Sequence, residues 1–549
     1  MTPNFSNVAR HLRVHAEKNP QKLASIKENG ESINFLQMEQ TCEHAVAEFK
    51  KMGIRSGDRV ATFIRPGLDF VPVIFALFRI GAIPVFIDPG MSLSNMLKCI
   101  ESSKCTAMLG VALAHLLKKF RPKSFRHIKI CICMSRFKWL AKILSANHLA
   151  KFQPSKILQG DAEIATVTKN QTAAILFTSG STGIPKGVEV TFGILEKQQE
   201  LLRETFAISD NEIDLVPFPL FALFSAAWGI TSVIPAMNPA RPARCSGKKL
   251  FQLMTKHQVT HTSGSPAIWK NVLSYCQDNR QSFKHLKRVL MAGAPVSEKL
   301  ILGWRQILAP SANVFTPYGA TEALPLTVIS DKELIAECYL QTRAGHGTCV
   351  GHPIKNTKIK IIKISNHSIG QISEIQELAV GEIGEVIVQS EVVTQKYFDK
   401  PDANKLAKIL DVESQQIWHR MGDLGYLDTT GRLWFCGRKD HLIKTEQKTE
   451  LYPDQLEAIF NQLNGVTRTA LVGVPRKGIL EVFTPVLMVE MKPKLHIKKM
   501  LLQKAIESEQ TRLIKDILFV KSFPTDVRHN IKINRGELAK TAQRQMGER

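Results

Sequence analysis

The residues best placed to do chemistry lie in Thr178-Ser-Gly-Ser-Thr-Gly-Ile-Pro-Lys-Gly-Val188. Hydroxyls at Thr178, Ser179, Ser181 and Thr182 and the ammonium of Lys186 are donors. Gly180, Gly183 and Gly187 allow backbone turns that side chains would block. A loop of free N–H groups, hydroxyls and one lysine suits a polyphosphate. It is not a Walker A loop, because Lys186 is followed by Gly187 and not by Ser or Thr. The preceding apolar run, Ala173-Ala-Ile-Leu-Phe177, reads as the buried strand that delivers the loop.

Pro317-Tyr-Gly-Ala-Thr-Glu322 adds three complementary groups. Tyr318 offers a ring to stack on a base, Thr321 a hydroxyl for phosphate, and Glu322 a hard carboxylate for Mg²⁺. Gly319 and Ala320 lie between them. Asp423, in Met421-Gly-Asp-Leu-Gly-Tyr-Leu-Asp428, has the chemistry to accept both hydroxyl protons of a ribose. Val289-Leu-Met-Ala-Gly-Ala-Pro-Val296 reads as a strand and a turn of small residues, and Gly431 to Asp440 as turn, strand and turn.

In this order the stretches resemble the adenylate-forming enzymes: acyl-CoA synthetases, luciferases and the adenylation domains of peptide synthetases. The resemblance covers nearly the whole chain. It implies ATP and Mg²⁺ as cofactors, with the nucleotide held by Thr178 to Gly183, Lys186, the adenine-cradling turn Gly293-Ala294-Pro295, Tyr318 to Thr321, Asp423 and Arg438. It places the hinge at Asp440. The family's terminal motif, Gly-Lys-Ile-x-Arg-x-x-Leu, is similar to Lys532-Ile533-x-Arg535-x-x-Leu538, with Ile531 in place of Gly. Lys532 is therefore expected to be catalytic, with Thr321, Glu322 and Lys186, and Glu322 to hold the metal. The implied architecture is α/β: residues 1–439 form a large AMP-binding domain of two α/β subdomains plus a β-barrel, and residues 440–549 a small α+β lid. The alternation of strand Val60–Ile64, helix Ile74–Ile80 and strand Ile83–Asp88 independently argues for a parallel sheet.

Two features differ from ordinary CoA ligases. The run after the hinge, Lys444-Thr-Glu-Gln-Lys-Thr-Glu-Leu-Tyr-Pro453, has no glycine where those enzymes carry a Gly-rich run lining the thiolation site. Phe221 is followed by Ala222 and not by His. Several blocks look instead like the β-lactone synthetases of bacterial long-chain olefin biosynthesis, among them Phe218-Pro-Leu-Phe-Ala-Leu-Phe224, Thr348-Cys-Val-Gly351, His419-Arg-Met-Gly-Asp423 and Asp526-Val-Arg-His-Asn530. Ser225 stands where that subgroup would have Asp. This resemblance implies adenylation of a long-chain 2-alkyl-3-hydroxy acid and ring closure to a β-lactone, with AMP and pyrophosphate released. Phe221 and Phe224 would then wall the acyl pocket. The alternative is a long-chain fatty acid–CoA ligase or a fatty acyl-AMP ligase.

At 549 residues, 44% hydrophobic and 22% charged, the chain has the composition of a folded soluble protein of more than one domain. A net charge of +24 suits anionic partners: a nucleotide, an acidic lipid surface or nucleic acid. Cations and aromatics are interleaved from His115 to Lys142, which suggests a solvated basic face, a membrane-surface patch or a dock for acidic partners such as olefin-pathway enzymes. No RNA-binding motif accompanies it, so nucleic acid is not expected. Ten scattered cysteines without a CxxC pair point to a reducing, cytoplasmic compartment without structural zinc. The polar N-terminus carries no signal peptide, and Phe70 to Ile87, interrupted by Pro72, Arg79, Gly81 and Pro84, reads as helix, turn and buried strand, not as a membrane span.

Lys532→Ala is expected to slow adenylation by ~10²–10³ while leaving ATP binding largely intact, since only charge developing in the transition state loses its partner. Pyrophosphate release at the wild-type rate would rule the assignment out.

Overall fold

The computed structural model describes residues 7–135, 137–150, 163–178, 185–476, 482–525 and 533–547. Two seven-stranded sheets form its first part. In one, the order is Asn147–Ala150, Ile130–Ser135, Ala107–Gly110, Arg59–Phe63, Ile83–Ile87, Thr172–Thr178 and Lys186–Thr191. All its pairs are parallel except the last, an antiparallel hairpin in which Thr178 sits opposite Lys186. The stretch expected to bind phosphate is thus anchored at its two ends, Thr178 and Lys186, on adjacent strands. The other sheet runs Asn313–Phe315, Arg288–Met291, His261–Gly264, Ile213–Leu215, Thr231–Ile234, Leu23–Lys27 and Ser32–Asn34, again parallel up to one antiparallel edge pair.

An eight-stranded antiparallel sheet follows, built from Tyr318–Ala320, Ala323–Val328, Thr348–Pro353, Leu433–Arg438, Gln416–Leu427, Gly384–Gln389 and Lys358–Ile362, with Lys408–Asp411 added beside Gln416–Leu427. It occupies the place of the expected β-barrel, but among the described residues no pairing joins its two ends into a ring. After residue 440 come a short hairpin, Ile443–Lys444 with Glu450–Leu451, and a three-stranded sheet, Thr469–Pro475, Phe483–Glu490 and Asp516–Val520. Helices Pro453–Asn461, Leu495–Ile506 and Arg535–Gly547 complete this part. Two hydrophobic clusters draw only on residues beyond 440. Helix Leu495–Ile506 ends where Ser508 accepts from Gln510 N and Thr511 Oγ1 donates to the Ala505 carbonyl, so side chains take over the backbone's partners.

Helix Phe70–Ile80 shows why an apolar run needs no bilayer here. All of its residues are buried, and it ends at Gly81, whose φ of +78° a residue with a side chain would adopt only with strain. Its one cation, Arg79, is fully enclosed and meets Glu39 at 2.5 Å and Glu43 at 3.7 Å from helix Phe35–Lys51. Among the described residues no helix is long and apolar enough to cross a membrane.

Burying two charges costs several kcal/mol each unless they are paired, so breaking the pair is worse than replacing both members. Arg79→Ala is expected to cost about 3–5 kcal/mol of unfolding free energy. Denaturant titration should show the combined Arg79→Met, Glu39→Leu variant recovering much of that loss.

Candidate active site

Thr321 and Glu322 are the two residues of a tight hairpin turn between strands Tyr318–Ala320 and Ala323–Val328, with Ala320 paired to Ala323. The ladder on either side therefore fixes where the hydroxyl and the carboxylate project. Gly319 is required by packing: a Cβ there would lie 2.5 Å from the Ala323 carbonyl oxygen.

Tyr318, at the start of the hairpin, donates its hydroxyl to Asp423 Oδ2 at 2.6 Å. Arg438 reaches Asp423 Oδ1, also at 2.6 Å, from the neighbouring strand, where Asp423 and Arg438 are register partners. Burial raises the Asp423 carboxyl above its usual range, and Arg438 pulls against that shift. Burial beside this carboxylate also holds the Tyr318 hydroxyl well above its ordinary value, so it stays a donor. Gly293 and Ala294 form the bend after strand Arg288–Met291, with Gly293 at φ +89°, before helix Glu298–Ile307. Pro295 follows, exposed.

Lys186 and Glu322 are linked by a residue that the sequence reading does not single out. Tyr397 donates its hydroxyl to Glu322 Oε1 at 2.9 Å, and Lys186 Nζ lies 5.1 Å from the centre of its ring. Three backbone contacts put it there. Val188 bridges to Tyr397 while Phe398 N donates to the Gly187 carbonyl at 2.8 Å, and Thr394 N donates to the Glu322 carbonyl, also at 2.8 Å. The segment from Thr394 to Phe398 thus ties strand Lys186–Thr191 to the Thr321–Glu322 turn.

Lys408 is a second addition. Its ammonium donates to the carbonyl and, at 3.3 Å, to Oγ1 of Thr394, and lies 5.8 Å from the Tyr397 ring centre. Burial lowers its pKa to about 7 despite the attraction of Glu322. His419, its register partner, is buried, kept neutral well below its usual range by desolvation and Lys408, and hydrogen-bonded to the Ala407 carbonyl at 3.1 Å. In sequence Lys408 is one of many cations in a charged stretch, and no local pattern distinguishes it.

The structure brings together Thr178 with Lys186, Tyr318 with Asp423 and Arg438, and Glu322 with Lys186 through Tyr397. Ser179, Gly180, Ser181, Thr182, Gly183 and Lys532 lie outside the described residues. Asp440 sits in a single helical turn, Lys439–His441, directly after the strand that carries Arg438. There helix Pro453–Asn461 packs close: a Cβ on Gly437 would lie 3.1 Å from Asp454 Oδ2, and Gln462 donates to the Arg343 carbonyl at 2.9 Å.

Phe221 and Phe224 lie on helix Phe221–Trp228 in a row of rings, Phe218, Phe221, Phe224 and Trp228, whose successive centres are 5.7, 6.1 and 5.8 Å apart. Phe221 and Trp228 line a cavity of about 10 Å³ with Asp214 and His261, room for one water at most. Ser225 donates to Asp214 Oδ2 at 2.7 Å. Burial holds Asp214 well above the usual carboxyl range, so the Asp expected at 225 would crowd a second carboxyl against it.

The one metal the site would hold is magnesium. Among the described residues no group of three or more His, Cys, Asp or Glu could hold an ion. Mg²⁺ is commonly bound through one or two carboxylates, substrate phosphates and water. Glu322 is such a carboxylate, half-buried at a turn beside Lys186.

Because Lys408 is expected to release its proton near pH 7 in the fold but only near ~10.4 when unfolded, the unfolded chain holds more protons between these values. Stability should therefore rise with pH through that window. Denaturant midpoints measured across it should rise in the wild type and flatten in Lys408→Met; an unchanged slope would place the titration elsewhere.

Three comparisons bear on what this arrangement serves. A family model described as AMP-binding enzyme matches residues 12–398. Olefin beta-lactone synthetases from Xanthomonas campestris and Stenotrophomonas maltophilia are each 36% identical to the chain, over 98% of this chain and 98% of the first relative, and over 94% and 92% for the second. A 2-succinylbenzoate–CoA ligase of Bacillus subtilis is 25% identical over 85% of both chains. In fold, the chain is similar to o-succinylbenzoate coenzyme A synthetase from Bacillus subtilis in complex with ATP and magnesium, with a TM-score of 0.75, 20% identity and 96% and 98% of the two chains covered. It is likewise similar to an amide bond synthetase from Marinactinospora thermotolerans, with a TM-score of 0.77, 17% identity and 97% and 99% covered. The chain belongs to the AMP-binding family of adenylate-forming enzymes and shares nearly its whole length with olefin beta-lactone synthetases.

Proposed function

We propose that the protein activates a long-chain 2-alkyl-3-hydroxy acid with ATP and closes it to a β-lactone, releasing AMP and pyrophosphate. The observation that carries this reading is the 36% identity to olefin beta-lactone synthetases over 98% of both chains. In the first step a substrate carboxylate oxygen bonds to the α-phosphorus of ATP as the bond to pyrophosphate breaks. Asp423, aligned by Tyr318 and Arg438, would take the ribose hydroxyls. The turn Gly293-Ala294-Pro295 and the ring of Tyr318 would frame the adenine. Thr178 to Gly183, Lys186, Thr321 and Lys532 would meet the phosphates where charge develops. Magnesium, held through Glu322, would offset phosphate charge.

In the second step the substrate's 3-hydroxyl oxygen bonds to its own activated carbonyl carbon. The carbon–oxygen bond to AMP breaks, and the hydroxyl proton leaves. A tethered nucleophile has a high effective concentration, so no thiol is needed. The hairpin after Asp440 supports this reading. It contains no glycine, and Lys448 takes its turn position at φ +59°, a conformation glycine adopts more readily. Residues beyond Asp440 would act as a lid over the 1–439 domain, a division supported by the clusters confined to them. The other partners on this reading are olefin-pathway enzymes or an anionic membrane surface, reached from the cytoplasm.

A 3-hydroxy acid should turn over with ATP alone to lactone and stoichiometric AMP, and added CoA should change nothing. A plain long-chain acid should stall as bound adenylate. Product analysis by mass spectrometry decides: rapid CoA-dependent thioester from the plain acid, with no lactone from the hydroxy acid, would make the protein a CoA ligase instead.

A further inference from the structure

Between Ser102 and Gly160 the chain has twelve Lys and Arg and no Asp or Glu, so this stretch supplies half of the net charge of +24. Within it, helix Ala112–Phe120 and the short helix Lys138–Ile143 both pack on strand Ile130–Ser135. Ala114 and His115 face inward, and His115 Nε2 meets the Ile132 carbonyl at 3.1 Å. The opposite face of the longer helix carries Leu113, Leu116 and Phe120 at i, i+3 and i+7, with Leu113 68% and Phe120 75% exposed. A face that is apolar toward solvent reverses the usual pattern for a surface helix.

The shorter helix repeats this. Phe137, Trp139 and Ile143 are 58–67% exposed, and the Phe137 and Trp139 rings stack with centres 6.1 Å apart. Around these apolar groups stand the exposed cations Lys119, Arg121, Lys123, Lys138 and Lys142. Among the described residues of this stretch, ion pairs join Lys104 to Asp399 and Arg126 to Glu101 at its margin.

We propose that this face docks the protein on an anionic lipid surface, with Leu113, Phe120, Phe137, Trp139 and Ile143 entering the acyl boundary and the surrounding cations meeting the headgroups. Bulky apolar groups ringed by lysine and arginine match a surface that is apolar within and negative at its rim. A tryptophan, with its apolar body and polar N–H, suits that depth. A soluble acidic partner would satisfy the cations but gives no reason for five large apolar side chains held in water. On the long-chain substrate reading above, such docking would bring the enzyme to where its substrate partitions. The surface argument does not need that reading, and its test uses neither ATP nor substrate.

The full chain should co-sediment with vesicles of mixed phosphatidylglycerol and phosphatidylcholine and not with phosphatidylcholine alone. Binding should fall steeply when salt is raised from ~0.1 M to ~0.5 M, because screening shortens the reach of exposed charges. Replacing Lys119, Arg121 and Lys123 with Gln should weaken binding about a hundredfold, from roughly fivefold per cation lost near the surface. Phe120→Ser with Trp139→Ser should abolish retention at intermediate salt and remove part of the fluorescence blue shift on binding. Both variants should keep the wild-type circular dichroism spectrum and thermal midpoint, which confirms their folding. Absence of binding at low salt, undiminished binding by both variants, or capture by polyglutamate without vesicle binding would each overturn the proposal.

Discussion

A carboxylate taken out of water stays useful only if its partners are fixed, and the site is arranged around that constraint. Asp423 is nearly fully buried, with one oxygen on the Tyr318 hydroxyl and the other on the Arg438 guanidinium. Tyr318 belongs to the hairpin that turns at Thr321–Glu322, Asp423 to the long strand Gln416–Leu427, and Arg438 to the last residue of the strand beside it. One side chain therefore sets the position of the hairpin turn relative to the edge that leads to Asp440. Glu322 solves the same problem through Tyr397, and Tyr397 in turn places the Lys186 ammonium. The charges of the site form a chain of contacts in which each holds the next.

Much of this was legible in the sequence. The loop Thr178–Val188, the Tyr318–Glu322 run, Asp423 and Arg438 carry their chemistry in contiguous motifs, and the α/β alternation from Val60 to Asp88 follows from hydrophobic pattern. Tyr397 and Lys408 were not legible because their roles arise from pairings between distant segments. Thr394 reaches Glu322 across the sequence, and Lys408 is placed by the ladder to His419. Helix Arg535–Gly547 buries only Arg535, Leu538 and Ala542, too thin a stripe to be read by period. Ser225 shows the reverse case: the departure was visible in the sequence, but its partner, Asp214, was visible only in the fold.

The two unusual surfaces have opposite physical origins. Inside, Asp214, His261, Lys408 and His419 are ionisable groups that burial drives toward their neutral forms. Outside, the stretch from Ser102 to Gly160 concentrates cations without a single acid. The exposed face keeps its charge and its apolar groups together in solvent, where either would ordinarily be diluted by the other kind.

Lys186 comes from the first sheet, the Gly293–Ala294 bend from the second, and the Tyr318, Glu322, Asp423 and Arg438 set from the third. No one sheet holds a working fragment of the site. During refolding, each sheet can regain its hydrogen bonds while the three remain undocked, because the parts of a large chain fold as units and their docking is a separate, slower step. Recovery of catalysis is therefore a late clock for this molecule, running behind the return of secondary structure, and a preparation that looks folded by circular dichroism can still be a population of inactive, incompletely assembled chains.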